Sequence, residues 1–138
     1  IPVLSMAYGL SAAAEGNTFP WVFNPPDTYW DGASAIVTDI ARREGGAEAL
    51  KGKKIGYIFL DAGYGREAIP LLEQMSSDMG FELMQYAVPG KEMQNQSSQW
   101  LNIRRDKPDY MIMWGCEGSY QDPLSDGKFL RHLVVWRQ

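Results

Sequence analysis

The most specific chemical spacing in the chain is Gly63, Gly65 and Ala68, which fit G-x-G-x-x-A behind the apolar run KKIGYIFL and Asp61. In a dinucleotide-binding turn the glycines let the backbone approach a pyrophosphate and the alanine packs the next helix on the sheet. An acidic residue at the end of the following strand then holds the ribose. Glu82 lies at that distance, but it opens its strand and so belongs at the opposite edge of the sheet. Tyr64, between the glycines, would set a ring where pyrophosphate should lie. A structural strand-to-helix corner is the competing reading, with glycine supplying positive φ and Tyr64 packed on the rim.

Other reactive groups lack partners. Asp61, Glu67 and Glu73 are carboxylates that nothing pairs as acid and base, so capping and solvation are expected of them. Ser5 and Ser11 have no histidine nearby. One cysteine, Cys116, and one histidine, His132, exclude an internal disulfide and leave no material for a cysteine-rich or histidine-based metal site. Neither a cofactor nor catalysis is expected.

The 138 residues are 45% hydrophobic and 22% charged with a net charge of −4, enough for one domain with a core. No basic run suggests nucleic acid or an anionic membrane surface. No segment approaches the roughly 18 consecutive apolar residues of a membrane span, so direct membrane insertion is not expected. IPVLSMAYGL lacks both an initiator Met and the basic start of a secretory signal, as expected of a chain that begins inside a longer protein.

The elements that must hold these residues follow from periodicity. IPVLSM reads as a short buried strand, followed by a small and polar loop from Ala7 to Thr18. In FPWVFNPPDTYWDG, Pro20, Pro25 and Pro26 favour an extended crossing segment over a central strand. Asp27 is a plausible N-cap for a helix whose inner face is Trp30, Ala33, Ile36, Val37 and Ile40, ended by Gly45-Gly46. Tyr29 and Trp30 read as packing at the helix start before a ligand cage. KKIGYIFL is a strand covered on both faces. Ala68, Leu72, Met75 and Met79, with Leu71, predict the next helix, capped by Gly80. FELMQYAV, a helix around Ser97 to Arg105, and DYMIMWG complete the pattern, with methionines filling core faces. Strands alternating with helices predict an α/β fold, a parallel βαβαβ sheet with helices on both faces.

Four stretches, in order, resemble the periplasmic solute-binding proteins of the Leu/Ile/Val-binding type, the type I periplasmic binding fold that serves ABC transporters as receptor. IPVLSMAYG resembles the strand and loop that end the first lobe, and FPWVFNPPDTYWDGASAI the segment crossing to the second. KKIGYIFLDAGYGREAIPLLEQMSSDMGFELMQY resembles that family's K-K-[IV]-x-[ILV]-[ILV]-x-x-D-x-x-Y-G stretch, and WLNIRRDKPDYMIMWG its helix, K-P-D and buried strand. The resemblance implies residues 1–20 as the end of the first lobe, 21–28 as the crossing segment and 29–115 as the second-lobe core. It covers well under half of a full receptor.

It further implies an extracytoplasmic receptor that closes around a small-molecule solute and delivers it to a membrane permease. Branched-chain amino acids, aromatic acids and related compounds are the solute classes implied. Ser5, Ala7, Tyr8 and Gly9 fall on the loop that binds ligand, and Tyr64 on the tyrosine that faces the cleft; Gly63 and Gly65 shape the turn. Tyr8 and Gly9 depart from the small or hydroxyl residues of many amino-acid binders. With one strand of the first lobe, the chain alone is expected to bind solute weakly or not at all. A nucleotide- or NAD-binding Rossmann-type enzyme domain and a flavodoxin-like regulatory module are the alternatives, the latter predicting an intact five-strand sheet.

After Gly115 the resemblance stops, and residues 116–138 show no helical or strand period where a helix is due. Codons permitted for Cys116 to Gln138, read from the second base of each, can encode AKAVIKTRYPMENFYGIWWSG, whose W-W-S-G ending resembles the family's continuation. A frame-disrupted gene is therefore expected. Sequencing the encoding DNA tests this, because an intact frame with unrelated codons would exclude it.

Overall fold

The computed structural model describes residues 1–4, 9–25, 27–93 and 95–115, and the backbone of 135–137. Its centre is strand β3, Lys54–Leu60, preceded by a two-residue parallel pair, β1 (Val3–Leu4) and β2 (Val22–Phe23). β3 pairs in parallel with β4 (Glu82–Val88) on one side and β5 (Tyr110–Trp114) on the other. β6 (Val135–Arg137) closes the far edge antiparallel to β5, giving the order β4-β3-β5-β6.

The burial of β3 follows from its sequence. Every residue from Ile55 to Phe59 is buried, and successive side chains alternate between two cores. Ile55, Tyr57 and Phe59 pack with Tyr110, Ile112 and Trp114 beneath helices α1 (Tyr29–Glu44) and α3 (Ile69–Met79). Ile58 faces the other way, with Tyr86, Val88 and Met111 beneath α4 (Ser97–Asp106), which contributes Ile103 and Trp100. Each fully buried Ile or Leu in these layers contributes roughly 1.5–3 kcal/mol. The α/β sheet with helices on both faces is thus the observed fold, with an antiparallel edge strand added to its parallel core. Among the described residues this sheet has four strands, one of them antiparallel, and not the five parallel strands of a flavodoxin-like module.

The start of α1 lies one residue later than Asp27 suggests. Thr28 is the N-cap, and it forms a capping box with Asp31: the Asp31 amide donates to Thr28 Oγ1 at 3.1 Å and the Thr28 amide to Asp31 Oδ2 at 3.0 Å. Only Thr28 stands three residues before a carboxylate that can return the bond. The Thr28 hydroxyl, then its amide, holds the Asp31 carboxyl below the ordinary carboxylate range. That contribution is complete above the unfolded value and is lost as pH falls through the lowered folded one. Thr28→Ala is expected to cost about 1 kcal/mol, read as a lower urea midpoint at unchanged slope. At the other end Gly45 takes φ 103°, and Asp39 pairs with Arg42 at 2.7 Å and Arg43 at 2.6 Å.

The K-P-D stretch has a structural task. Lys107, at φ 49°, turns the chain out of α4 in a left-handed conformation rare for a side-chain-bearing residue. Asp109 then grips the start of β3 twice: its amide donates to the Lys54 carbonyl and its Oδ2 accepts the Lys54 amide, both at 2.8 Å. This pair sets the register in which Ile55 meets Tyr110. Behind it, the buried Tyr110 hydroxyl donates to Glu44, whose other oxygen lies 3.4 Å from Lys53 Nζ.

Two readings change. Among the described residues of IPVLSM the strand is Val3–Leu4, and these two are 53% and 61% exposed, with β2 as their sole described partner strand. Residues 116–138 contain a strand after all, β6, too short at three residues to show a period. The frame-disruption reading and the helix due after β5 otherwise lie outside the described residues.

Candidate ligand cleft

Beyond the carboxyl end of β3 the chain turns sharply into a one-turn helix, α2 (Gly63–Arg66), and then α3. The Asp61 amide donates to the Val88 carbonyl at 2.8 Å, tying the turn to the end of β4, and the Asp61 carboxylate holds Arg66 at 2.5 Å. Glu82 pairs with Lys54 at the opposite end of the sheet, far along the strand from this turn.

Positive φ is not what the two glycines supply. Gly63 and Gly65 are both helical, and the left-handed glycines lie elsewhere. Gly65 is required by close approach instead: a Cβ there would run into the carbonyl oxygen of Leu60. Its own carbonyl accepts the buried Tyr57 hydroxyl at 2.8 Å, so the turn is bolted to the core of β3. Around Gly63 a Cβ would meet nothing within 4 Å.

This fixed turn presents Tyr64, half-buried, to an aromatic group drawn from three elements. The Tyr64 ring stands edge-on to Tyr29 at 5.0 Å and 71°, and near-parallel to Trp114 at 6.5 Å and 26°. Tyr29 and Trp114 meet at 5.8 Å, and Trp114 lies 6.1 Å from Tyr57. Edge-on and offset packing of this kind contributes about 0.5–1.5 kcal/mol per pair beyond burial.

The segment before α1 completes the cleft. Gly9, at φ 99°, accepts the Tyr29 amide at 2.6 Å and lies so close to the Tyr29 ring that a Cβ would overlap it. Ser11 takes two bonds from the opposite wall: its amide donates to Glu67 Oε1 at 2.5 Å and its hydroxyl accepts the Trp30 amide at 3.2 Å. Trp30 Nε1 in turn donates to the Glu67 carbonyl at 2.8 Å. Leu10, Ser11, Tyr29, Trp30, Tyr64 and Glu67 thereby line an open cleft of ≈ 780 Å³.

Of the residues singled out from sequence, Gly9 and Tyr64 meet through Tyr29, while Ser5, Ala7 and Tyr8 lie outside the described residues. Trp30 was read as packing, Glu67 as capping and solvation, and Ser11 as a serine without a nearby histidine; all three line the cleft. The Ser11–Glu67 bond spans 56 residues, a distance at which no local pattern signals it. Tyr29-Trp30 at a helix start was a visible sign of an aromatic wall. Among the described residues no group of three or more His, Cys, Asp or Glu could hold a metal ion, and no helix is long and apolar enough to cross a membrane.

A family model described as periplasmic binding protein matches residues 1–120. A comparison with curated proteins returned no match. Among solved structures, one described as an ABC transporter permease from the Pseudomonas fluorescens group is 39% identical at a TM-score of 0.77, covering 82% of this chain. A branched-chain amino acid ABC transporter from Thermus thermophilus with bound valine is 16% identical at a TM-score of 0.67, covering 83%. An extracellular ligand-binding receptor from Rhodopseudomonas palustris HaA2 is 24% identical at 0.64, covering 81%. The chain spans 27%, 28% and 29% of the lengths of these three. With the family match running over most of its length and its sheet shared with these structures, the chain belongs to the periplasmic binding protein family, as an incomplete α/β unit of the type I fold.

Proposed function

We propose that the chain supplies one wall of an inter-lobe cleft in an extracytoplasmic solute receptor that serves an ABC importer and its membrane permease. Residues 1–20 end the first lobe, 21–28 cross between lobes and 29–115 form the second-lobe core. The solute is a small organic molecule, and branched-chain amino acids and aromatic acids are the classes to try first. Binding and release by closure of the lobes need no bond chemistry.

The observation that carries this reading is the convergence on one cleft of three aromatic residues, Tyr29, Trp30 and Tyr64, with Gly9 bonded to the Tyr29 amide, at the carboxyl ends of the parallel strands. Ligands of open α/β sheets bind at that edge, and a tyrosine there offers a rigid apolar face with one polar tip. In this reading Tyr64 contacts solute, and Gly9 with the loop of Ser5, Ala7 and Tyr8 forms the facing side.

A single wall surrounds a solute only in part, so the 138 residues alone should bind in the millimolar range, about 4 kcal/mol. Amide spectra titrated with candidate solutes should shift around Tyr64 and Trp30, and Tyr64→Ala should weaken binding at least about tenfold. Nanomolar binding in a calorimeter, or shifts confined to α4 and β4, would overturn the assignment of this wall.

A further inference from the structure

The charge of the cleft carries a statement about the solute. Among the described residues that line it, the charged side chains are Glu15 and Glu67. Glu67 Oε1 is fixed by the Ser11 amide, while its second oxygen has no hydrogen-bond or ion-pair partner among the described residues. No compensating cation is close in sequence: the first Lys, Arg or His of the chain is Arg42, so the whole segment from the first strand into α1 is without a basic side chain. Arg66, on the turn itself, is held by Asp61 through two nitrogens.

We propose that this wall takes the protonated amine of a small solute against Glu67, with the solute's apolar or aromatic body on Tyr64 and Trp30. The inference rests on the cleft reading above and adds the polarity of the ligand. A carboxylate entering here would shed water beside two like charges with no cation among the described lining residues to receive it, which is costly. An ammonium group meets the opposite charge, and the ring faces nearby attract it further. An amino acid fits through its amine, with its carboxylate held from outside this wall; a simple aromatic acid does not fit.

The test uses three probes with one body: 2-phenylethylamine, 2-phenylethanol and 3-phenylpropionate, each titrated into the 138-residue chain at neutral pH and followed by amide and indole shifts. The amine is expected to bind about tenfold tighter than the acid, with the alcohol between them. The largest shifts should fall at the Ser11 amide, the Trp30 indole and Tyr64. Glu67→Gln should weaken the amine about fivefold and leave the alcohol unchanged.

Equal binding of amine and alcohol, or tighter binding of the acid, with shifts at Tyr64 and Trp30 would overturn the amine inference and leave the cleft standing. Shifts at neither residue with any probe would overturn both. Should Glu67→Gln lose its dispersed spectrum, the salt dependence of the unaltered chain decides. Amine affinity that falls with salt while the alcohol's stays constant supports the inference, and amine affinity indifferent to salt overturns it.

Discussion

Gly65→Ala should destabilise the chain by about 3 kcal/mol or more, while Gly63→Ala two residues away should be neutral or stabilising by up to about 1 kcal/mol. The two glycines of one motif part company because their surroundings differ. A Cβ at Gly65 meets the Leu60 carbonyl, which is backbone at the end of a buried strand and cannot swing aside. Moving α2 away to relieve the overlap would pull the Gly65 carbonyl from the Tyr57 hydroxyl and break that buried hydrogen bond. At Gly63 the space is open and the backbone is already helical, so alanine gains helix propensity. Denaturant midpoints of the two variants decide the matter; similar midpoints would mean that the turn is not held against β3.

Trp114→Ala is expected to cost about 3–5 kcal/mol, against a total stability of about 5–15 kcal/mol for a domain. Trp114 ends β5, is 3% exposed, and touches the rings of Tyr29, Tyr57 and Tyr64. Its removal opens a cavity bounded by strand ends that cannot collapse inward. The loss should also spread to the cleft, since Tyr64 and Tyr29 lean on this indole from above. Trp114→Phe keeps part of the stack and should cost less than half as much. A loss below about 1 kcal/mol for the alanine variant would show that the ring cluster is not part of the core.

How much of this was legible before folding differs between core and cleft. β3, α3 and β5 announce themselves because a strand buried on both faces is nearly all apolar and a helix covering it must repeat at helical spacing. Gly45 and Gly80 were readable as helix ends for the same local reason, and both take positive φ. The N-cap of α1 was missed by one residue, because Asp27 and Thr28 are both good caps and only the return bond from Asp31 separates them. The opening strand was read as buried from its apolar letters, yet burial depends on what lies across from it, and that is not written in six residues. In the cleft, Tyr64 was suggested by its place in a resembling motif. Its partners Tyr29 and Trp114 lie 35 and 50 positions away, and Ser11 finds Glu67 only through tertiary contact. The role of Gly65 was legible as a need for glycine; the reason, a carbonyl in the way, was not.

The bond from Tyr57 to Gly65 also sets a clock. Amides of Ile55 to Phe59 sit in the middle of the sheet, where hydrogen exchange waits for the whole domain to open. Through Tyr57, the turn that bears Tyr64 is anchored to that slowest stratum. Facing it, residues 9–15 hold on by a few surface bonds and Leu10 is 48% exposed, so their protons should exchange orders of magnitude sooner. A solute settling into the cleft would thus find one side already still and would slow exchange mainly on the other.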